Sequence, residues 1–348
     1  MNINQRIEAF VNLGDFLRSF NHESPDTVDE KLLADIVEND HIYNPWFTKE
    51  NILQSIKAIG DSLRKEKFDF WIKRYNDIAH KLSAKRIGVV TAGNIPLVGF
   101  HDFMTVLISG NIFLGKLSSK DNRLLKFIAD FLIKHNSEFS SLINFTEGKL
   151  EKFDAIIATG SNNTARYFEY YFGKYPNIIR KNRNSVAVLT GTESAEEIKE
   201  LGTDIFSYFG LGCRNVSKLI IPKDYCFDPF FENIQHFESN YIHNKYANNY
   251  DYNKSVYLMN QIQHFDNGFI ILKEDYGIAS PIGVLYFQYY DHLDSVKEYL
   301  KFNEDLIQCV VSGNDIVPGT IPFGKAQSPE LWDYADNIDT MEFLLNLK

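Results

Sequence analysis
Apolar residues recur at helical spacing through about the first eighty positions. Ile7, Phe10, Val11 and Leu17 share one face, and Ile52, Leu53, Ile56, Ile59 and Leu63 make another stripe. Between them, Thr27 and Glu30 stand in capping-box relation ahead of KLLADIV. This pattern predicts a helical N-terminal layer. From Arg86 the period changes: the runs RIGVVTAG, NIFLGKL, DAIIATG and SVAVLTG have strand length and alternate with helix-length segments beginning near Leu97 and Asn122. Strand and helix in alternation predict a parallel sheet. After Thr192 a second unit is expected, with a helix over 195–208, a strand in SKLIIP, helices to about 263, and strands in FIILKED, GVLYFQYY and IQCVVSG. The Tyr- and Asn-rich segment 243–254, HNKYANNYDYNK, reads as a polar surface loop. The expected domains are 1–190 and 191–348, with the C-terminal segment a candidate to pack back on the first.

Composition narrows the classes of function. In 348 residues, 44% hydrophobic content supplies two ordinary cores, and a net charge of −10 argues against a nucleic-acid partner. Three cysteines, Cys213, Cys226 and Cys309, are too few and too irregularly spaced for a disulfide framework or a zinc site, and they fit a reducing compartment. No metal site is expected. The start, MNINQRIEAF, lacks the apolar core of a signal peptide, and no apolar run is long enough to span a bilayer. The expected location is cytoplasmic.

Parallel sheets bind ligands at the carboxyl ends of their strands, where the next helix offers free amides. The turns that matter are therefore 91–96, 115–121 and 158–163. Asn94, in TAGNIPLVGF, follows a strand and Gly93; its amide is either a donor for an oxyanion or a helix cap. Thr159, Gly160 and Ser161 precede a helix, which suits a pyrophosphate and equally suits an ordinary strand-to-helix turn. Lys116, Ser118 and Ser119 end another strand; they grip a ribose or form a solvated turn. In the second unit Cys213 sits after Gly210 and Gly212 and before Arg214, in FSYFGLGCRNVSKLIIP. Glycines and a cation are the setting of a reactive thiol, against which stands the buried, inert cysteine.

Taken in order, TAGNIPL, GNIFLGKLSS, IATGS, GLGC and IPFG resemble the signatures of the aldehyde dehydrogenase superfamily. The closer likeness is to bacterial acyl-CoA reductases of the luminescence (LuxC) type, carried by GNIPL, FGLGCRNVSKL and FGKAQSPELWDYADNIDTMEFL, over about 86–222 and 280–348. The resemblance implies an α/β, aldehyde dehydrogenase-like fold, with a Rossmann-type nucleotide-binding domain, an α/β catalytic domain and the helical N-terminal layer. It implies that Cys213 is the nucleophile, Asn94 an oxyanion donor beside the Cys213 amide, Lys116 a ribose ligand, and Gly160 with Ser161 the pyrophosphate site. Cys226 and Cys309 are expected to be structural.

Departures from the wider superfamily sharpen the expectation. Where oxidising members carry a water-activating glutamate, IIRKNRNSVAVL places Arg180. The glutamine before the nucleophile is here Leu211, and the glutamate expected to hold the nicotinamide ribose is missing from IASPIGV. Lacking a base for water, an acyl-Cys213 thioester meets a thiol or a hydride instead. The expected reaction is reduction of acyl-CoA or an acyl-carrier protein thioester to an aldehyde. Oxidative aldehyde dehydrogenation, or a non-catalytic acyl-binding scaffold of a reductase complex, is the alternative. Ser119 stands where the superfamily often has a glutamate that repels a 2′-phosphate, and Lys120 and Arg123 are nearby. NADPH is therefore the expected cofactor and NADH the alternative. The oligomeric state stays open, with a homodimer or a reductase-complex partner as the candidates.

Overall fold
A computed structural model of the chain describes residues 1–75, 83–313 and 317–347. These form two compact units, Met1–Asn182 with Ser328–Lys348, and Arg183–Gln327.

The first unit opens with α1 (Ile3–Ser19), α2 (Val28–Asn39), α3 (Lys49–Ser62) and α4 (Lys65–Ile72). Capping boxes start two of them, Asn2 with Gln5 on α1 and Thr27 with Glu30 on α2, satisfying amides that a helix leaves open. Their buried faces, with Phe10, Leu13, Leu33, Ile52 and Ile56, close over the helices that follow. Five parallel strands come next: β1 (Arg86–Val90), β2 (Ile112–Lys116), β3 (Ile143–Phe145), β4 (Ala155–Thr159) and β5 (Asn177–Arg180), interleaved with α5 (Phe100–Ile108), α6 (Leu124–His135) and α7 (Asn162–Phe172). Their order is β3-β2-β1-β4-β5. The chain winds outward from β1 to β3, returns, and winds the other way through β4, so the topological switch point lies between β1 and β4. That arrangement sets the crevice for a ligand at the carboxyl ends of those two strands. Leu331, Tyr334, Met341 and Leu344, from the segment that returns from the second unit, join the same core.

The second unit holds β6 (Asn184–Val188), α8 (Ala195–Phe206), β7 (Val216–Pro222), α9 (Asp228–Ile234), α10 (Asn244–Met259), β8 (Phe265–Asp266), β9 (Ile271–Glu274), β10 (Val284–Tyr290), α11 (Leu293–Phe302) and β11 (Ile307–Ser312). The last helix, α12 (Thr340–Leu345), belongs to the first unit. The six-stranded sheet runs β11-β6-β7-β10-β9-β8, parallel except for the short β8–β9 pair. One core, with Leu189, Leu219, Ile221 and Phe287, packs α8 and α9; another, with Val188, Ile220, Val296 and Leu300, packs α11.

Two expectations are corrected. The run SVAVLTG was assigned to the first domain, but β6 pairs with β7 and β11 in the second sheet, so the units divide after Asn182 rather than after residue 190. The segment 243–254 is no loop: His243 caps α10 and the rest lies in it, and the helix's Tyr246, Tyr250, Asn253 and Tyr257 recur every three or four residues and are buried. Its apolar stripe is made of tyrosine rings, whose hydroxyls reach polar partners such as Phe269 O and Asp266. Among the described residues, no helix is long and apolar enough to cross a membrane.

Candidate active site
The Cys213 turn joins the end of α8 to the start of β7. Tyr208, Phe209 and Gly210 take left-handed φ values of 51°, 58° and 77° in succession. Two non-glycine residues in that region cost on the order of 1 kcal/mol or more each, so the surroundings must impose it. Burial does so: the Tyr208 and Phe209 side chains are 5% and 8% exposed. Asn215 completes the frame. Its Nδ2 donates to the main-chain oxygens of Asp204 (3.0 Å) and Ser207 (2.8 Å), which the helix end leaves open, and its Oδ1 accepts from Gly212 N (2.8 Å). The Cys213 carbonyl is fixed from the other side by Ser185 Oγ on β6, at 3.0 Å. The same hydroxyl accepts from Cys309 N (3.2 Å) and lies 2.9 Å from Cys309 Sγ. Cys213 is half-buried, and no disulfide links the three cysteines among the described residues. Cys226, expected to be structural, is exposed.

Arg214 is half-buried, and its Nε donates to Ala326 O at 2.5 Å, tying the segment just after IPFG to the Cys213 turn.

In the first unit, Asn94 stands in the connection from β1 to α5. The cap reading fails here, because Gly99 is the N-cap of α5 and no side chain caps that helix. The connection is clamped at four points: Asn44 Nδ2 donates to Gly93 O (3.1 Å), Ser55 Oγ to Pro96 O (2.9 Å), and the Asp121 carboxylate accepts from Leu97 N (2.9 Å) and Val98 N. Leu97 is held at φ 59°. Gly93 has no room for a side chain, since a Cβ would lie 2.5 Å from Ser118 Oγ. The structure thus brings the Asn94 turn against the Lys116–Ser119 turn, at the ends of the paired strands β1 and β2. Lys116 is half-buried and Ser119 exposed.

On the other side of β1, β4 ends at Thr159, and Gly160 and Ser161 lead into α7. Ser161 is the N-cap, accepting from Thr164 N at 3.3 Å, and remains exposed. Arg123 does not face this edge as a spare cation: it pairs with Asp35 (2.8 Å) and Asp40 (2.9 Å), which leaves Lys120 as the exposed cation of the turn. Arg180, at the end of β5, is buried in an ion pair with Asp102, and its Nη2 donates to Thr340 Oγ1 at 3.0 Å.

Sequence reasoning named Cys213, Asn94, Lys116, Ser119, Gly160 and Ser161, and missed the residues that hold them. Ser185, Asn215, Asp121, Asp204, Asn44 and Ser55 give only the signal of a polar residue in or near an apolar run.

No curated protein sequence matches the chain. Solved structures do. The P. syringae indole-3-acetaldehyde dehydrogenase AldA, as a mutant in complex with NAD+ and IAA, aligns at 12% identity with a TM-score of 0.62, covering 94% of this chain and 75% of that one. A Sinorhizobium meliloti NAD-dependent aldehyde dehydrogenase aligns at 10% identity and 0.63, covering 90% and 71%. A Mycobacterium tuberculosis aldehyde dehydrogenase complexed with NAD+ gives 11%, 0.62, 90% and 73%. The fold is that of an aldehyde dehydrogenase. The sequence itself matches one family model over residues 23–222, more than half its length, so the chain belongs to the LuxC family of acyl-CoA reductases.

Proposed function
We propose that the protein reduces an acyl thioester, of coenzyme A or of an acyl-carrier protein, to an aldehyde, with Cys213 as nucleophile and NADPH as preferred cofactor. The observation that carries this reading is the construction of the Cys213 turn, where buried Ser185 and Asn215 fix the main chain on both sides of the thiol. Cys213 Sγ attacks the thioester carbonyl carbon, the bond to the carrier sulfur breaks, and the leaving thiolate takes up a proton while the acyl group stays on Cys213. The charge that develops on the carbonyl oxygen is met by the Cys213 N–H and the Asn94 carboxamide; losing one such donor costs roughly 100- to 1,000-fold in kcat. Arg180 favours reduction over hydrolysis, because a buried guanidinium paired with Asp102 takes no proton from water.

The strand-end turns of the first unit fit a dinucleotide. Gly160 and the opening amides of α7 suit a pyrophosphate, with Ser161 at the same helix end. On the neighbouring strand end, Lys116 and Ser119 would bind the adenosine ribose. A bound nicotinamide supplies the hydride that releases the acyl group as aldehyde. Ser119 carries no charge to repel a 2′-phosphate and Lys120 is exposed beside it, which supports NADPH.

Mass spectrometry after mixing the protein with acyl-CoA, without nucleotide, tests the chemistry. One acyl group on the Cys213 peptide is expected, and none in Cys213→Ala; an adduct elsewhere, or no adduct, overturns the reading. For the cofactor, Ser119→Glu is expected to shift the NADPH/NADH ratio of kcat/KM about tenfold toward NADH, a ~1.4 kcal/mol change. An unchanged ratio would mean that this turn does not meet the ribose.

A further inference from the structure
Both oxygens of the Asp204 side chain, fully buried on α8, accept main-chain N–H groups: Oδ2 from Gly324 at 2.7 Å and Oδ1 from Ala326 at 2.9 Å. The next link is Arg214, whose Nε donates to the Ala326 carbonyl at 2.5 Å, and the Asp204 carbonyl itself accepts from Asn215 Nδ2 at 3.0 Å. The two residues that follow Cys213 therefore grip, respectively, the loop that Asp204 holds and the helix that carries Asp204. Within the loop, Phe323 and Ala326 are buried, while Gly324 between them sits at φ 76° with Glu200 where a side chain would begin. A cavity of about 400 Å³, bordered by Glu197 and Glu200 of α8 and by Thr320 and Pro322, leaves the loop space to shift.

A carboxyl group that takes an N–H on each oxygen is held best as the carboxylate, because each N–H bond favours the charged form. In the acid form one oxygen carries a proton and is the weaker acceptor, so the grip on one of the two N–H groups loosens. We infer that Asp204 is a positioning residue which, as the carboxylate, latches the Gly324–Ala326 loop to the Cys213 turn and releases it on protonation. The charges acting on it are Glu200 on the same helix, which favours the proton, and Arg214 on the turn, which opposes it. Lys325, on the loop, is exposed. Burial dominates and pushes the Asp204 carboxyl up to about 7, so the two forms exchange near neutrality. The consequence for acyl transfer rests on the role proposed for Cys213; the latch itself does not.

Hydrogen exchange of the peptide spanning 322–327, corrected for the intrinsic rate, reads the latch directly. In wild type, protection should rise roughly tenfold from pH 6 to pH 8, as the ionised fraction does for a group titrating near 7. Asp204→Asn should lack the step and be about tenfold less protected at pH 8. Flat protection in wild type, or an Asn variant as protected as wild type at pH 8, overturns the latch. The wild-type titration decides even where the variant does not fold. Acylation of Cys213 by acyl-CoA, followed over the same range, separates the two readings. Acylation with flat loop protection sinks the latch and leaves the thioester reading; a protection step without an acyl adduct supports the latch and sinks the thioester reading.

Discussion

Asp121 does for the Asn94 turn what the hydrogen-bond ladder does inside a helix: it gives the main-chain amides of Leu97 and Val98 an acceptor where the backbone offers none. Its burial is the larger influence and pushes its carboxyl up to about 7. Between the pH at which an unfolded aspartate ionises, about 4, and about 7, the folded chain keeps a proton that the unfolded chain has lost. The stability tied to that proton is fully present below about pH 4 and is gone by about pH 7. Asp121→Asn does not titrate. Denaturant unfolding should therefore show the variant gaining on wild type by up to ~1.4 kcal/mol per pH unit across that window, with no further change above it. A stability difference that is constant from pH 4 to 8 would show that Asp121 is ionised throughout. Such residues could not be picked out from the sequence. Asp121 lies 24 positions from Leu97 and Asp204 lies 120 from Gly324, and a lone aspartate near a turn looks the same whether it caps a helix or holds a distant loop. The turns that hold Asn94, Lys116 and Ser161 could be located because the strands before them were readable, and the roles expected of these residues and of Cys213 came from the order of motifs that resembles the aldehyde dehydrogenase superfamily.

Strands were legible where an apolar run ended in Gly, Ser or Thr, as at Thr159–Ser161, and the end of β2 at Lys116 falls where the pattern put it. Pairing was not legible. The sequence of β6 is that of any buried parallel strand, and only its hydrogen bonds to β7 and β11 assign it to the second sheet. The tyrosine stripe of α10 was hidden for a different reason: Asn and Tyr between the buried positions mask the helical period that leucine would have shown. Arg180 was noticed for what it replaces. Its partners explain more, since the guanidinium joins Asp102 of α5 to Thr340 at the first turn of α12 and so fastens the returning segment to the first sheet. An element that looks like a tail in the sequence is part of a core.

At the scale of the molecule, that segment ties the C-terminal residues to the helical layer at α4. Trp71 donates to Tyr334 Oη at 2.7 Å, Tyr75 is within 2.7 Å of Tyr334 Oη and donates to Asp339 at 2.7 Å, and Met341 and Leu344 are fully buried. Truncating a buried Met or Leu to Ala costs about 2–5 kcal/mol, so removing the whole segment exceeds what a unit of ordinary stability can lose. A fragment of residues 1–182 is expected to show no cooperative unfolding transition on its own and to gain one when a peptide of residues 328–348 is added. A cooperative transition in the fragment alone would mean that the segment only decorates the unit. The second unit, Arg183–Gln327, is continuous in the chain. During synthesis the order of completion is thus the reverse of the order of appearance. The domain whose first helix emerges earliest must wait, with Trp71 and its neighbours uncovered, until the other domain has been made and residues 328–348 have followed it out of the ribosome.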